Sequence, residues 1–209
     1  MSDTALSPDT RPLDGLRVVT LALNIPGPVA ASQLRSLGAT VRKIEPPMGD
    51  PLAAQNPLYY AELCAGMAVM RLDLKAPEQR AQLDQLLAES DVLLTAQRPV
   101  ALARLGLGRE RISAQFPQLC QVALVGEAGE RSGVAGHDLT YMARVGLLRP
   151  PQLPNTLLAD FGAAEALVSA TLGVLLARER GRGAGYREVA LVDACLLYTS
   201  DAADDLTRV

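Results

Sequence analysis

The chain carries one histidine, His137, within Gly136-His137-Asp138-Leu139-Thr140-Tyr141, and a carboxylate, Asp160, within Leu157-Leu158-Ala159-Asp160-Phe161-Gly162. An imidazole and a carboxylate on opposite sides of one substrate carbon can pass a proton from one face to the other. A carboxylate alone can attack an acyl carbon. Each residue also has a plainer reading. His137 stands at the end of a Gly-containing loop, where a structural histidine fits equally well. Asp160 precedes an apolar run and can serve as the N-cap of a helix starting at Phe161. The two readings of Asp160 are compatible, because a helix N-terminus holds a carboxylate and favours its charged form.

Other chemistries find little support. Cys64, Cys120 and Cys195 are widely spaced, with no CxxC pair, and one histidine makes a protein zinc site an unfavourable reading. Asp160-Phe161-Gly162 matches the kinase metal-binding triplet, but neither HRD nor a Gly-rich loop precedes it. Gly27-Pro28 opens a helix whose free N–H groups suit a phosphate, yet GxGxxG and GxxxxGK[ST] are both absent. Arg98 and Lys75 read, on their own, as solvated charges.

The elements that must position these residues follow from the apolar pattern. Leu16 to Leu23 is an unbroken apolar-rich run, expected for a parallel strand buried on both faces. Asn24 to Pro28 breaks it, Val29 to Leu37 reads as a helix, and Gly38 stops it. Val41 to Ile44 is a second strand, completing a β-α-β unit with its right-handed crossover. Alternation continues with a helix over Leu58 to Cys64, a strand over Ala68 to Leu74 and a helix over Pro77 to Ser90. Strands follow at Val92 to Leu94 and Leu119 to Val125. After a polar loop from Gly126 to Gly136, His137 to Val145 starts a helix and Phe161 to Arg178 forms a long one. A last strand covers Arg187 to Val192. The expected fold class is α/β with a parallel sheet.

At 209 residues the chain suits one large domain, and a net charge of −3 with pI near 5.2 argues against general nucleic-acid or membrane-surface binding. Phe161 to Ala177 is short and interrupted by Glu165, which favours a buried helix over a membrane span. The polar first residues lack an apolar signal core, so a reduced cytoplasmic setting is expected.

Read together, these segments resemble the family III CoA-transferases (CaiB/BaiF type), and within them the α-methylacyl-CoA racemase branch. The resemblance is carried by Leu13-Asp14-Gly15-Leu16-Arg17-Val18-Val19, Gly27-Pro28, Leu37-Gly38-Ala39 with Ile44-Glu45, and Leu72-Asp73-Leu74-Lys75. Arg98-Pro99, Arg104-Leu105-Gly106-Leu107-Gly108, the two segments around His137 and Asp160, and Gly181-Arg182-Gly183 leading into Val192-Asp193-Ala194 complete it. It implies a Rossmann-like large domain over 13–195, an interlocked homodimer, and coenzyme A as part of an acyl-CoA substrate, with no bound cofactor. Leu72, Asp73, Leu74, Lys75 and Arg98 would lie along the CoA nucleotide. Gly136, Asp138, Leu139, Thr140 and Tyr141 would lie near the pantetheine and thioester.

In transferases of this family the aspartate matching Asp160 is a nucleophile, forming a mixed anhydride and then an aspartyl-CoA thioester. In the racemases it pairs with a histidine matching His137 to move the α-proton of a 2-methylacyl-CoA. The His137 motif favours racemisation, with CoA transfer as the alternative. Where the family carries a basic residue after Ile44-Glu45 this chain has Pro46, leaving Lys43 as the nearest cation for phosphate. Lost cations and a short 146–156 loop motivate a third reading, a non-catalytic CoA-binding paralogue. Residues 1–12 are expected to be a disordered tail. Residues 196–209 resemble translated adapter sequence, which implies a truncated product without the family's small domain.

Overall fold

The computed structural model describes residues 11–197; most of the expected N-terminal tail and residues 198–209 of the C-terminal tail lie outside them. Six parallel strands form one sheet among the described residues: β1 (Arg17–Thr20), β2 (Thr40–Glu45), β3 (Ala68–Arg71), β4 (Val92–Thr95), β5 (Cys120–Val125) and β6 (Tyr186–Ala190). Their spatial order is β3-β2-β1-β4-β5-β6. This is the doubly wound Rossmann order, whose direction reverses between β1 and β4 and opens a crevice at the strands' C-terminal ends. The expected α/β class and parallel sheet are therefore observed.

Prolines set where most helices begin. α1 (Pro26–Ser36), α2 (Pro51–Gln55), α3 (Pro57–Cys64), α4 (Pro77–Ala88) and α5 (Pro99–Arg104) all have proline in the first turn, where its missing N–H costs nothing. α1 thus starts at Pro26 rather than at Val29. α6 (Arg109–Gln115), α7 (Asp138–Arg144), α8 (Leu158–Ala177) and α9 (Leu191–Leu196) complete the set. Gly38 follows the end of α1 with φ 111°, as the stop signal requires.

Side chains of adjacent strand residues point to opposite faces, so each buried strand feeds two cores. Val18, Val92, Leu94 and Val122 pack with Ala30, Ala31 and Leu34 of α1 and with Ala163, Ala164 and Leu167 of α8. Val19, Ile44 and Leu93 pack on the other face with Leu83 and Leu87 of α4, Leu102 of α5 and Ile112 of α6. α8 with its π-helical continuation is long and apolar enough to cross a membrane by length and composition alone. Its buried face against α1 and the sheet gives that apolar content a use inside the fold. A third, small cluster of Tyr141, Met142, Ala159 and Cys195 joins α7, α8 and α9.

Candidate active site

The crevice at the β1/β4 reversal holds a cavity of about 520 Å³. The chain after β1 (Leu23 to Pro26), after β4 (Ala96 to Arg98) and at the end of β5 (Leu124 to Gly126) forms one side of it. Gly136, His137, Asp138, Leu139 and Tyr141 at the start of α7, and Asp160 in the first turn of α8, form the other. The two residues that opened the sequence argument thus face one space.

α8 begins at Leu158, not at Phe161, and its N-cap position is Leu157, which makes no side-chain cap. Asp160 is therefore inside the first turn, a correction to its reading as the N-cap. The cap function is supplied from elsewhere: the Asp160 backbone N–H donates to Asp138 Oδ1 at 3.0 Å. Asp138 is only 4% exposed, and its Oδ2 is buried without a hydrogen-bond partner. Burial, then the charge of Asp138, pushes the Asp160 carboxyl up to about 6, against a smaller opposing pull from His137.

His137 occupies the N-cap position of α7 with extended backbone. Its N–H donates to Thr140 Oγ1 at 3.2 Å and its carbonyl accepts from the Thr140 N–H at 2.8 Å. Thr140 thereby fixes the turn that presents the imidazole; it does not itself line the cavity. Tyr141 is 3% exposed, and its ring fills the space that a Cβ on Gly126 or Gly136 would need, with contacts of 2.3 and 2.6 Å. Glycine at these two positions is a packing requirement. Burial raises the Tyr141 phenol, with Asp160 adding to the shift and Arg98 opposing it. Burial first, and then Asp138 and Asp160, push the Cys195 thiol up to about 11.

A second cavity of about 470 Å³ lies beside the first, and Leu23 and Gln97 belong to both walls. Leu72, Asp73, Leu74 and Lys75 line it together with Glu45 to Met48. β3 ends at Arg71, so these four residues form a turn rather than the end of a strand. The Lys75 N–H donates to Asp73 Oδ1 at 3.0 Å, an Asx turn that stops the strand and leaves Lys75 exposed. Arg98, held extended by the following proline, is exposed on the first cavity.

Lys43 is the exception among the expected ligand-facing residues. Its side chain is 0% exposed and lines neither cavity, and its Nζ contacts Glu45 Oε1 at 2.5 Å and Asp50 Oδ2 at 2.7 Å. Both carboxylates claim it, so it serves as an internal counter-ion and not as a phosphate contact. Asp50 also accepts from the N–H groups of Leu52 and Asn24. Asn24, at φ 65°, is thereby held in the left-handed region at the cavity wall. Sequence reasoning missed Asn24 and Gln97, and it placed Asp138 along the ligand without its bond to the Asp160 amide. For Asn24 a signal existed, since asparagine tolerates this conformation between a strand and a proline-started helix.

A doubly wound parallel sheet with His137 and Asp160 on the wall of its crevice defines a Rossmann-like domain. Residues 13–207 match the model of CoA-transferase family III, and the chain belongs to that family. It is 31% identical over 204 residues to the probable fatty acyl-CoA transferase Rv3272 of Mycobacterium tuberculosis, covering 89% of this chain and 52% of that protein. It is 34% identical over 174 residues to human alpha-methylacyl-CoA racemase, covering 79% and 43% respectively. The crystal structure of Rv3272 superposes with a TM-score of 0.86 at 29% identity, covering 94% of this chain and 60% of that one. A CaiB/BaiF family protein from Brucella suis gives 0.85 at 28% identity, with 94% and 58% covered. The chain spans about half the length of the curated relatives it matches.

Proposed function

We propose that this chain carries the acyl-CoA site of a family III enzyme and that Asp160 and His137 exchange the α-proton of a 2-methylacyl-CoA. The observation that carries this reading is that both residues line one cavity and that the charge of His137 acts on the Asp160 carboxyl. An α-proton beside a thioester is a weak acid, so removal needs a base whose affinity for protons is near that of the medium. A carboxyl pushed up to about 6 is mostly ionised at neutral pH and still accepts a proton readily. In the forward direction the Asp160 carboxylate takes the α-proton and the His137 imidazolium returns one to the opposite face. The reverse direction exchanges the roles. The nucleotide part of the ligand is assigned to the neighbouring cavity with Lys75 as its cation, while Arg98 offers its charge from the wall of the first cavity, and Gly136, Asp138, Leu139 and Tyr141 form the wall along the thioester arm.

CoA transfer is the second reading. It is favoured by relatives such as acetyl-CoA:oxalate CoA-transferase of Acetobacter aceti, 28% identical over 220 residues. Here Asp160 attacks the thioester carbon and CoA leaves as thiolate; that thiolate then attacks the aspartyl carbonyl of the resulting anhydride, releasing the first acid as its carboxylate and giving an aspartyl-CoA thioester. The incoming acid then receives CoA by the same two steps in reverse.

The test is exchange in D2O with the full chain and 2-methylacyl-CoA. α-Deuterium wash-in without an acceptor acid is the expected result, and its absence together with movement of labelled CoA to a free acid selects the transferase. An Asp160→Asn variant with undiminished turnover in both assays overturns both readings. An intact chain that binds acyl-CoA but turns over in neither assay is the non-catalytic paralogue.

A further inference from the structure

We propose that Asp138 is the positioning residue for Asp160: one oxygen grips the Asp160 amide at the start of α8, and the other presents an unneutralised charge to the Asp160 side chain. The inference rests on Asp160 as the reacting carboxylate. Three observations support it. Asp138 Oδ1 accepts from the Asp160 N–H across the short loop between α7 and α8, which fixes the reacting residue against the helix that carries His137. The Asp138 side chain is almost wholly buried, and Oδ2 has no hydrogen-bond partner. Among the described residues no ion pair joins either carboxylate to a cation.

An asparagine here would make the same hydrogen bond through its carbonyl oxygen without the cost of burying a charge. Aspartate therefore has a use that capping alone does not explain; Asp160, whose amide it grips, and Cys195 both feel its charge. The other groups that face this pair are His137 and Tyr141 of the α7 segment, Cys195 of α9 and, through Tyr141, Arg98 before α5. His137 and Arg98 are both exposed to solvent, so neither cancels Asp138 from inside. The carboxylate pair thus raises the proton affinity of Asp160, as two like charges sharing a site must.

The experiment separates grip from charge. Asp138→Asn keeps the acceptor and removes the charge; Asp138→Ala removes both. In isotope-labelled full-length chain, the Asp160 carboxyl carbon is titrated by NMR and the exchange rate of its amide proton is measured. In Asp138→Asn the titration midpoint should fall from about 6 by roughly one pH unit, while amide protection persists. In Asp138→Ala the Asp160 amide should exchange at least about tenfold faster. The acid limb of turnover in the Asp138→Asn chain should move to lower pH in step with the midpoint. An unmoved midpoint in Asp138→Asn, which needs no folding of the alanine variant, overturns the proposal. Absence of turnover in the unaltered chain would instead sink the functional reading, and the two NMR measurements would still decide the role of Asp138.

Discussion

Two acidic pairs, one fully buried and one half-buried, lie on either side of the β1–α1 turn, and the chain treats them in opposite ways. Glu45 and Asp50 share the Nζ of Lys43, which is itself wholly enclosed, and the Tyr60 hydroxyl donates a further bond to Glu45 Oε1 at 2.7 Å. Among the described residues Asp138 and Asp160 have no such cation, and one Asp138 oxygen, like Glu45 Oε2, lacks a hydrogen bond. The first pair has Lys43 enclosed between its two carboxylates and Arg71 Nε 3.8 Å from Glu45 Oε2, and it holds a loop in place. The second is left with excess charge at a cavity wall, which is costly for the fold and which the proposed function would use to move a proton. Similar residue types thus give a strut in one corner and, on that proposal, a reacting group in the other, and the lysine marks the difference.

Asp160→Asn should break the reactive corner with the largest effect, lowering α-proton exchange or CoA transfer by about 10²–10⁴-fold, checked by deuterium wash-in and label transfer. Lys43→Met should break the strut. It leaves two uncompensated buried carboxylates and should cost about 3–5 kcal/mol of stability, read from the urea midpoint. His137→Gln sharpens the choice of reaction: wash-in should fall by about 10²-fold while any CoA transfer persists, measured in parallel on one preparation.

The smallest effect is on stability. The folded chain holds the Asp160 proton up to about 6, against 3.8 for an unperturbed carboxyl. The favourable contribution of Asp160 is therefore full below about pH 4 and is lost as pH rises through about 6, where the folded chain must bury a charge. Asp160→Asn removes that penalty and should stabilise the chain at pH 7 by about 1 kcal/mol after allowance for partial exposure. Denaturation midpoints of the two chains should converge near pH 4.

Much of this was legible in the residues. β1 and β5 are nearly unbroken apolar runs because both faces are covered, and Pro77 announces the start of α4 by chemistry that needs no partner. The short helices α2, α5, α6 and α9 were not foreseen, since a turn or two of helix carries too little periodicity to register. Lys43 was misjudged because a strand pattern shows only that residues 43 and 45 share a face; it does not show that Asp50 returns from the following loop to close around the lysine. The Asp138–Asp160 bond was hidden for the same reason. It joins residues 22 apart, and only the docking of α7 on α8 makes them neighbours.

The wall between the two cavities has a consequence of its own. Gln97 belongs to both cavities, and its Nε2 donates to the Leu21 carbonyl at 2.7 Å, fastening the chain after β4 to the end of β1. Any ligand long enough to occupy both cavities must cross this fastening, whose position is fixed by the sheet and not by a loop. The head and the tail of such a ligand are then independent modules. Changes around Leu139 or Leu157 can reshape one cavity while the other, and the register between the two, stays as the strands set it.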